Sequence, residues 1–390
     1  EYPFVTISRT IAAKRAEGID VVTFGIGDPD RETPGFVVDA LEAAARRPAN
    51  HRYPETEGMP EFRRAVTGWY ARRFGVELDP GTEAISLIGA KEGIGHAALA
   101  FLNPGDLALV PDPAYPVYAV GALFAGAETH TMPLLEENGW LVDLDAIPAE
   151  VADRASVLWL NYPNNPTGGV ATLDYFERVV SFARAHNVIV LHDACYSEMS
   201  YDGYRAPSFL QARGAMDVGM EFHSLSKTFN MTGWRIGAAV GNAELVEALR
   251  VIKSNLDSGV SQAVQEMAIA ALDAPGDWVQ RNAAGYQRRR DRVVSALRSI
   301  GLDPMTPEAG LYVWVKVPDG YTSAGFAGVL LEDRDIVVTP GSSYGEYGEG
   351  YIRLSLTIDD ESMEQGLARL RDWTIPPPDD TGSSSRSTTG

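Results

Sequence analysis

A chain of 390 residues with 45% hydrophobic content can bury a large core and is long enough for two domains. Its formal net charge of -20 argues against a nucleic-acid partner, because the phosphate backbone is bound by clustered Lys and Arg. Cys195 is the only cysteine, no apolar run approaches the roughly 20 residues that cross a bilayer, and no basic-then-apolar signal pattern opens the chain; a cytoplasmic protein without disulfides or membrane contact is expected.

In chain order, the segment through FGIGDPD carries its own strand ahead of the first large-domain helix, and residues 1–44 are expected to pack with a smaller C-terminal unit. Residues 45–275 alternate short apolar runs (ISLIGA, DLALVPD, SVLWLNYP, VIVLHDA, MEFHSLS, IGAAVG) with helical patterns, the signature of a mostly parallel sheet with crossover helices. From about Asp277 a long basic helix, AAGYQRRRDRVVSALRSIG, is followed by the strands GLYVWVKV and GYIRLSL, which reads as a smaller α+β domain over 276–375. The tail 376–390, PPPDDTGSSSRSTTG, is too polar to contribute to a core and is expected to be disordered.

Several of these junctions carry chemistry. In IGAKEGIGHAALAF a strand, a glycine turn and a helix start succeed one another, so the backbone amides of Gly89, Ala90 and Lys91 either suit a phosphate or simply cap the helix. Tyr115, in PDPAYPVY, is available for stacking on a ring or for packing. NYPNNPTGG turns sharply after SVLWL and leaves Asn165 between the strand end and Pro166. Asp193 closes VIVLHD, where it either satisfies a turn or presents a buried carboxylate; Tyr196, three residues on, favours the second reading, and Cys195 between them reads as packing.

The stretch SLSKTFNMTGWRIG, Ser224 to Gly237, sets Lys227 directly after Ser226, three residues after Ser224 and eight before Arg235. MEFHSL reads as a buried strand, so Ser224, Ser226 and Lys227 emerge at its carboxyl end, where open α/β sheets bind ligands. A lysine amine forms a Schiff base with a carbonyl, and an arginine holds a phosphate by paired charged hydrogen bonds. One molecule carries both groups, pyridoxal 5'-phosphate. For that cofactor, the amides of Gly89, Ala90 and Lys91 with Ser224, Ser226 and Arg235 form a phosphate cup. Asp193 keeps the ring nitrogen protonated, Asn165 and Tyr196 donate to the 3'-oxygen, and Tyr115 stacks on the ring. No metal is expected.

In this order and spacing, NNPTG, DACY, SLSK and WRIG resemble the class I/II aminotransferases among the fold-type I pyridoxal phosphate enzymes, from residue 1 to about 375. HRYPETEGMPEFRRAV, GAKEGI and PDPAYPVY are most similar to the LL-diaminopimelate aminotransferases within that group. The resemblance implies an α/β fold, with a large domain built on a mostly parallel seven-stranded sheet and a smaller α+β domain. It implies that Lys227 forms the Schiff base and then moves the proton between the substrate α-carbon and the cofactor. Arg353, by itself a surface strand residue, would clamp the substrate α-carboxylate with help from the backbone of Gly27. Tyr53 would reach the cofactor phosphate of a neighbouring subunit, making the active unit a homodimer, and Tyr2 and Asn255 would contact substrate. Ala90 stands where many relatives carry serine, leaving only a backbone donor.

The implied reaction is ping-pong transfer from an amino acid to a 2-oxo acid such as 2-oxoglutarate. For diaminopimelate as donor, Glu55, Glu57, Lys91 and Asn255 are candidates for its distal charges, against a plain solvent-exposed reading. Aspartate, alanine, aromatic and N-succinyl-diaminopimelate donors stay open, as does a pyridoxal phosphate lyase on the same scaffold. A DNA-binding regulator is disfavoured, because it calls for a basic helix-turn-helix extension.

Overall fold

The computed structural model describes residues 3–274 and 277–378. Its strands are β1 (Val22–Thr23), β2 (Ala84–Leu87), β3 (Leu107–Asp112), β4 (Glu128–Pro133), β5 (Ala155–Asn161), β6 (Ile189–Asp193), β7 (Gly219–Ser224), β8 (Gly237–Gly241), β9 (Tyr312–Lys316), β10 (Ile336–Val337), β11 (Thr339–Pro340) and β12 (Tyr351–Ser355). A seven-stranded sheet runs in the order β2-β8-β7-β6-β5-β3-β4, with β8 antiparallel to both neighbours and the other pairings parallel. The α/β architecture expected from the alternating pattern is therefore present. Strands β5 to β8 are buried along almost their whole length, which is why they read as continuous apolar runs. The apolar pattern had missed β4, ETHTMP: as an edge strand it leaves its first residues exposed, so it need not be apolar.

A second sheet, β11-β12-β9, is antiparallel, and β1 pairs in parallel with β10. Phe24, Tyr286, Val293, Leu311, Val313, Phe326 and Leu354 fill the core beside it. The N-terminal segment divides between the two bodies. β1 joins the smaller one, but the helix Gly35–Ala45 lies on the helix Gln262–Leu272 and sends Val37 into the core of the large sheet, which corrects the expectation that residues 1–44 pack together on the small side. The helix Trp278–Ser299 links the bodies, with Trp278 and Val279 against one core and Tyr286, Val293 and Leu297 in the other. Past it, Tyr321 donates its hydroxyl to the Pro376 carbonyl at 2.8 Å; the expected disordered tail otherwise lies, from residue 379, outside the described residues. Among the described residues no helix is long and apolar enough to cross a membrane.

One face of the large sheet holds a buried polar knot. Glu221 is fully buried and accepts from the Tyr70 hydroxyl at 2.7 Å, the Ser208 hydroxyl at 3.0 Å and the Phe209 N–H at 2.8 Å. His192 Nε2 accepts the Tyr162 N–H, so Nδ1 carries the proton and donates to Glu221 at 2.9 Å. Burial by itself would push the Glu221 carboxyl up, yet His192, Tyr70 and the Phe209 amide together hold it below its ordinary value. Replacing Glu221 by Ala strands these donors in the core. The expected cost is about 3–5 kcal/mol, which lowers the thermal unfolding midpoint by roughly 4–6 °C in a differential scanning measurement.

Candidate functional site

Parallel strands in register deliver their ends to one edge. Asn161, Asp193 and Phe222 lie side by side across β5, β6 and β7, so the loops leaving these strands begin at a common level. There Gly27, Ala90, Lys91, Tyr115, Asn165, Asp193, Tyr196, Ser224, Ser226, Lys227, Arg235 and Arg353 line one cavity of ≈ 370 Å³, within the range of small-molecule sites. Residues drawn from widely separated motifs thus meet at a single place.

Lys227 sits in the short helix Leu225–Thr228 that follows β7, and Ser224 caps that helix by accepting the Ser226 N–H at 3.2 Å. Its Nζ donates to the Gly27 carbonyl at 2.7 Å, which ties the lysine to the N-terminal loop. Asp193 is 4% exposed, with Oδ2 accepting from the Tyr118 hydroxyl at 2.7 Å and Oδ1 from the Cys195 N–H at 3.1 Å. Tyr118 in turn stacks on Trp159 with ring centroids 4.9 Å apart. Burial, then the Asp193 charge, holds the Tyr118 phenol well above the usual tyrosine range, so it stays a donor to Asp193. Asn161 fixes the neighbouring loop: its Nδ2 donates to the Asp193 carbonyl at 2.8 Å and its Oδ1 accepts the Asn165 N–H at 2.8 Å.

Arg353 on β12 enters from the smaller body and is 1% exposed, which replaces the surface-strand reading. It donates to Asn165 Oδ1 at 2.9 Å and to the Gly25 carbonyl at 3.0 Å, with its guanidinium carbon 4.0 Å from the Tyr312 ring centroid and 4.9 Å from that of Tyr344. With the Asn165 oxygen so engaged, its NH2 is the end left to donate. Tyr196 is buried and its hydroxyl lies 3.1 Å from that of Tyr312.

At the other end, Gly89 caps the helix Ala90–Phe101, and the Ala90 and Lys91 N–H groups precede its first turn-closing bond, from the Glu92 N–H to the Gly89 carbonyl at 3.2 Å. Gly89 adopts φ +72°, and a Cβ there would lie 2.3 Å from Arg235 Nη2, so the guanidinium occupies the space a side chain would take. Arg235 itself has φ +53° and donates to the Thr232 carbonyl at 2.8 Å. Hydroxyls of two buried serines, a guanidinium and a helix N-terminus converge here, a donor set that suits a phosphate dianion. Asp193 at the far wall suits a protonated ring nitrogen. These features fit pyridoxal 5'-phosphate.

The remaining candidates lie elsewhere. Tyr53 is 90% exposed and away from this cavity, Asn255 is exposed with its Nδ2 on the Val251 carbonyl, and Tyr2 lies outside the described residues. Glu55 is exposed, and Glu57 lines a separate surface groove. The sequence reading did not single out Tyr118, Asn161 or Tyr312, nor Asp28 and Thr232 on the cavity wall. Asn161 carried a signal, an asparagine closing an apolar strand; Tyr118 and Tyr312 looked like ordinary core aromatics. Glu92, His96 and Asp257 lie close enough together to hold a metal, but Lys253 Nζ bonds Glu92 and Asp257 at 2.9 Å each and supplies the cation.

The family model for aminotransferase class I and II matches residues 19–370. An LL-diaminopimelate aminotransferase from Dehalococcoides mccartyi is 60% identical over 372 residues, spanning 95% of this chain and 96% of the relative. Another of the same name from Moorella thermoacetica is 54% identical, spanning 95% of both. Among solved structures, substrate-bound BacF from Bacillus subtilis superposes with a TM-score of 0.90 at 35% identity, over 94% of this chain and 93% of that one.

Substituting Gly89 by Ala forces a Cβ against the Arg235 guanidinium in a backbone region that disfavours side chains. About 2 kcal/mol of strain is expected, weakening pyridoxal 5'-phosphate binding roughly 30-fold in a fluorescence titration of the apoprotein.

Proposed function

Because this chain belongs to the class I and II aminotransferases, which work with pyridoxal 5'-phosphate, we propose that it moves the amino group of LL-diaminopimelate to a 2-oxo acid such as 2-oxoglutarate, with Lys227 carrying the proton transfer. The observation that carries this reading is the amine of Lys227 in one cavity with a buried Arg353, a buried Asp193 and the Arg235 donor cluster. The reading of the donor rests on the shared name of the curated relatives, which would place the reaction in lysine biosynthesis.

When bound, the cofactor supplies an aldehyde that takes up the amino group and a ring that accepts the electron pair released at the α-carbon. Ser224, Ser226, Arg235 and the amides of Ala90 and Lys91 would hold its phosphate. Asp193, oriented by the Tyr118 hydroxyl and the Cys195 N–H from which it accepts, would hold the proton on the ring nitrogen. Tyr196 and the Asn165 NH2 would donate to the ring oxygen, with Tyr115 available to cover one face. Arg353 binds the α-carboxylate of amino acid and oxo acid in turn, so that both halves of a ping-pong cycle use one clamp. Lys227 Nζ would leave the Gly27 carbonyl, take the proton from the substrate α-carbon and deliver it to the cofactor carbon on the other side of the amino nitrogen, two bonds away. At the cavity mouth, the exposed carboxylate of Asp28 and ammonium of Lys91 have the signs needed for the distal ammonium and carboxylate of diaminopimelate.

A homodimer is part of the same reading. Tyr53, Leu123 and Phe124 are 90%, 69% and 77% exposed, and large apolar side chains displayed in this way suit a contact with a second copy. Tyr53 would then serve the partner's phosphate site.

Lys227→Ala is expected to bind cofactor yet give no conversion of it to the amino form when amino acid alone is added, with turnover down by at least ~10⁴-fold in a stopped-flow assay. Arg353→Lys, which loses bidentate geometry, should lower kcat/KM for donor and acceptor alike by about 10²-fold. In a panel of amino donors with 2-oxoglutarate, LL-diaminopimelate should lead; activity confined to short monoamino acids removes that donor, and release of ammonia or carbon dioxide without the amino form points to a lyase. Tyr53→Phe should leave a dimer in sedimentation while weakening cofactor binding about 10-fold, the loss of one hydrogen bond to a charged group.

A further inference from the structure

Tyr312 touches three parts of the site at once. Its ring lies under the Arg353 guanidinium with 4.0 Å from the guanidinium carbon to the centroid, and its hydroxyl is 3.1 Å from that of Tyr196. A Cβ on Gly27 would approach the same hydroxyl to 2.3 Å, so the loop that receives Lys227 Nζ passes directly over it. Tyr312 is 3% exposed and is held in β9 opposite Ser355, while Arg353 stands opposite Trp314 in the same ladder. A ring under a cation is a packing arrangement found in many proteins. A phenol that also touches another phenol at the wall of a ligand cavity has a direction to its hydrogen bond, and here that direction matters.

Of the two hydroxyls, one donates to the other. A guanidinium over its ring draws electron density from the Tyr312 oxygen and makes its O–H the better donor. Tyr196 faces the opposite influence. Burial first, then Tyr312, Cys195 and Asp193, hold its phenol well above the usual tyrosine range. The groups facing the pair are Asp193 and Cys195 from the end of β6, Lys227 and Gly27 across the cavity, and Arg353 from β12.

On the reading of the site given above, we infer that Tyr312 is a positioning residue that donates its hydroxyl proton to Tyr196 and so turns the Tyr196 proton into the cavity, toward the cofactor's ring oxygen. A phenol that accepts one hydrogen bond donates a stronger one. Arg353, Tyr312 and Tyr196 then form a second route, beside Arg353–Asn165, by which the carboxylate clamp adjoins that oxygen.

The test is a pH titration of the absorption band of the bound cofactor in the substrate-free holoenzyme. A donor to the ring oxygen lowers the proton affinity of the attached nitrogen, so weakening it moves the titration midpoint up. Tyr312→Phe keeps the ring under Arg353 and should raise the midpoint by about half a unit, with KM for both substrates within about twofold. Tyr312→Leu, which also removes the ring, should raise KM for amino acid and oxo acid together by roughly 5- to 30-fold. Tyr196→Phe should raise the midpoint by a larger step, and adding Tyr312→Phe to it should produce no further shift. A wild-type midpoint in Tyr312→Phe alongside a shifted Tyr196→Phe, or additive shifts in the double variant, overturns the relay alone. A wild-type midpoint in Tyr196→Phe overturns the relay together with the placement of Tyr196 at the ring oxygen on which it rests.

Discussion

A guanidinium taken out of water must be met from several sides, and the burial of Arg353 is the constraint on which the rest of this site depends. Its acceptors come from two separated stretches of chain, Asn165 after β5 and Gly25 after β1, and the rings of Tyr312 and Tyr344 close over its faces. Removing either acceptor leaves a buried charge short of a partner, an expensive outcome in a low-dielectric interior. The arginine therefore obliges the smaller body to sit against the end of the large sheet. A second buried cation repeats the logic further out. Arg289 grips Asp30 with two hydrogen bonds of 2.6 and 2.8 Å and reaches Asp360 at 2.7 Å, which anchors the far end of the same N-terminal loop.

The cavity follows from those anchors together with strand register. Asp193 and Asn161 are neighbours because β5 and β6 pair in parallel, and Lys227 falls just beyond because β7 ends one strand further over. The groups with opposite charge preferences stand apart: the Arg235 donor cluster at one end, the Asp193 carboxylate at the wall and Arg353 toward the smaller body. A ligand with a phosphate, a ring nitrogen and a carboxylate partner has only one way to lie among them.

Much of this was legible in the sequence, for identifiable reasons. The parallel core could be read because its strands are buried on both faces and so are uniformly apolar, and most of the cavity residues stand where those runs end. What escaped is equally specific. β4 is an edge strand with polar exposed positions, and Gly35–Ala45 gives no hint in its composition of which body it will cover. Tyr118 and Tyr312 sit in apolar contexts, VYAVGALF and YVWVK, where an aromatic means core; only the tertiary fold brings their hydroxyls onto Asp193 and Tyr196. Arg353 was reached by likeness to known proteins, since nothing local says that an arginine on a strand is buried. Conversely, Tyr53 and Asn255 have no place in the cavity of their own chain.

The central strands also serve two networks that face opposite ways. In β6, His192 points to the Glu221 knot and Asp193 to the cavity; in β7, Glu221 belongs to the knot and Ser224 to the cavity. Because successive side chains alternate between faces, odd and even positions in these few residues answer to different selective demands. Variation at His192 or Glu221 is a question of whether the chain holds together, while variation at Asp193 or Ser224 is a question of what it can bind. The two demands meet within one strand end: His192 and Asp193 are adjacent, so a one-residue slip of β6 would send the knot's imidazole toward the cavity and the cavity's carboxylate into the knot.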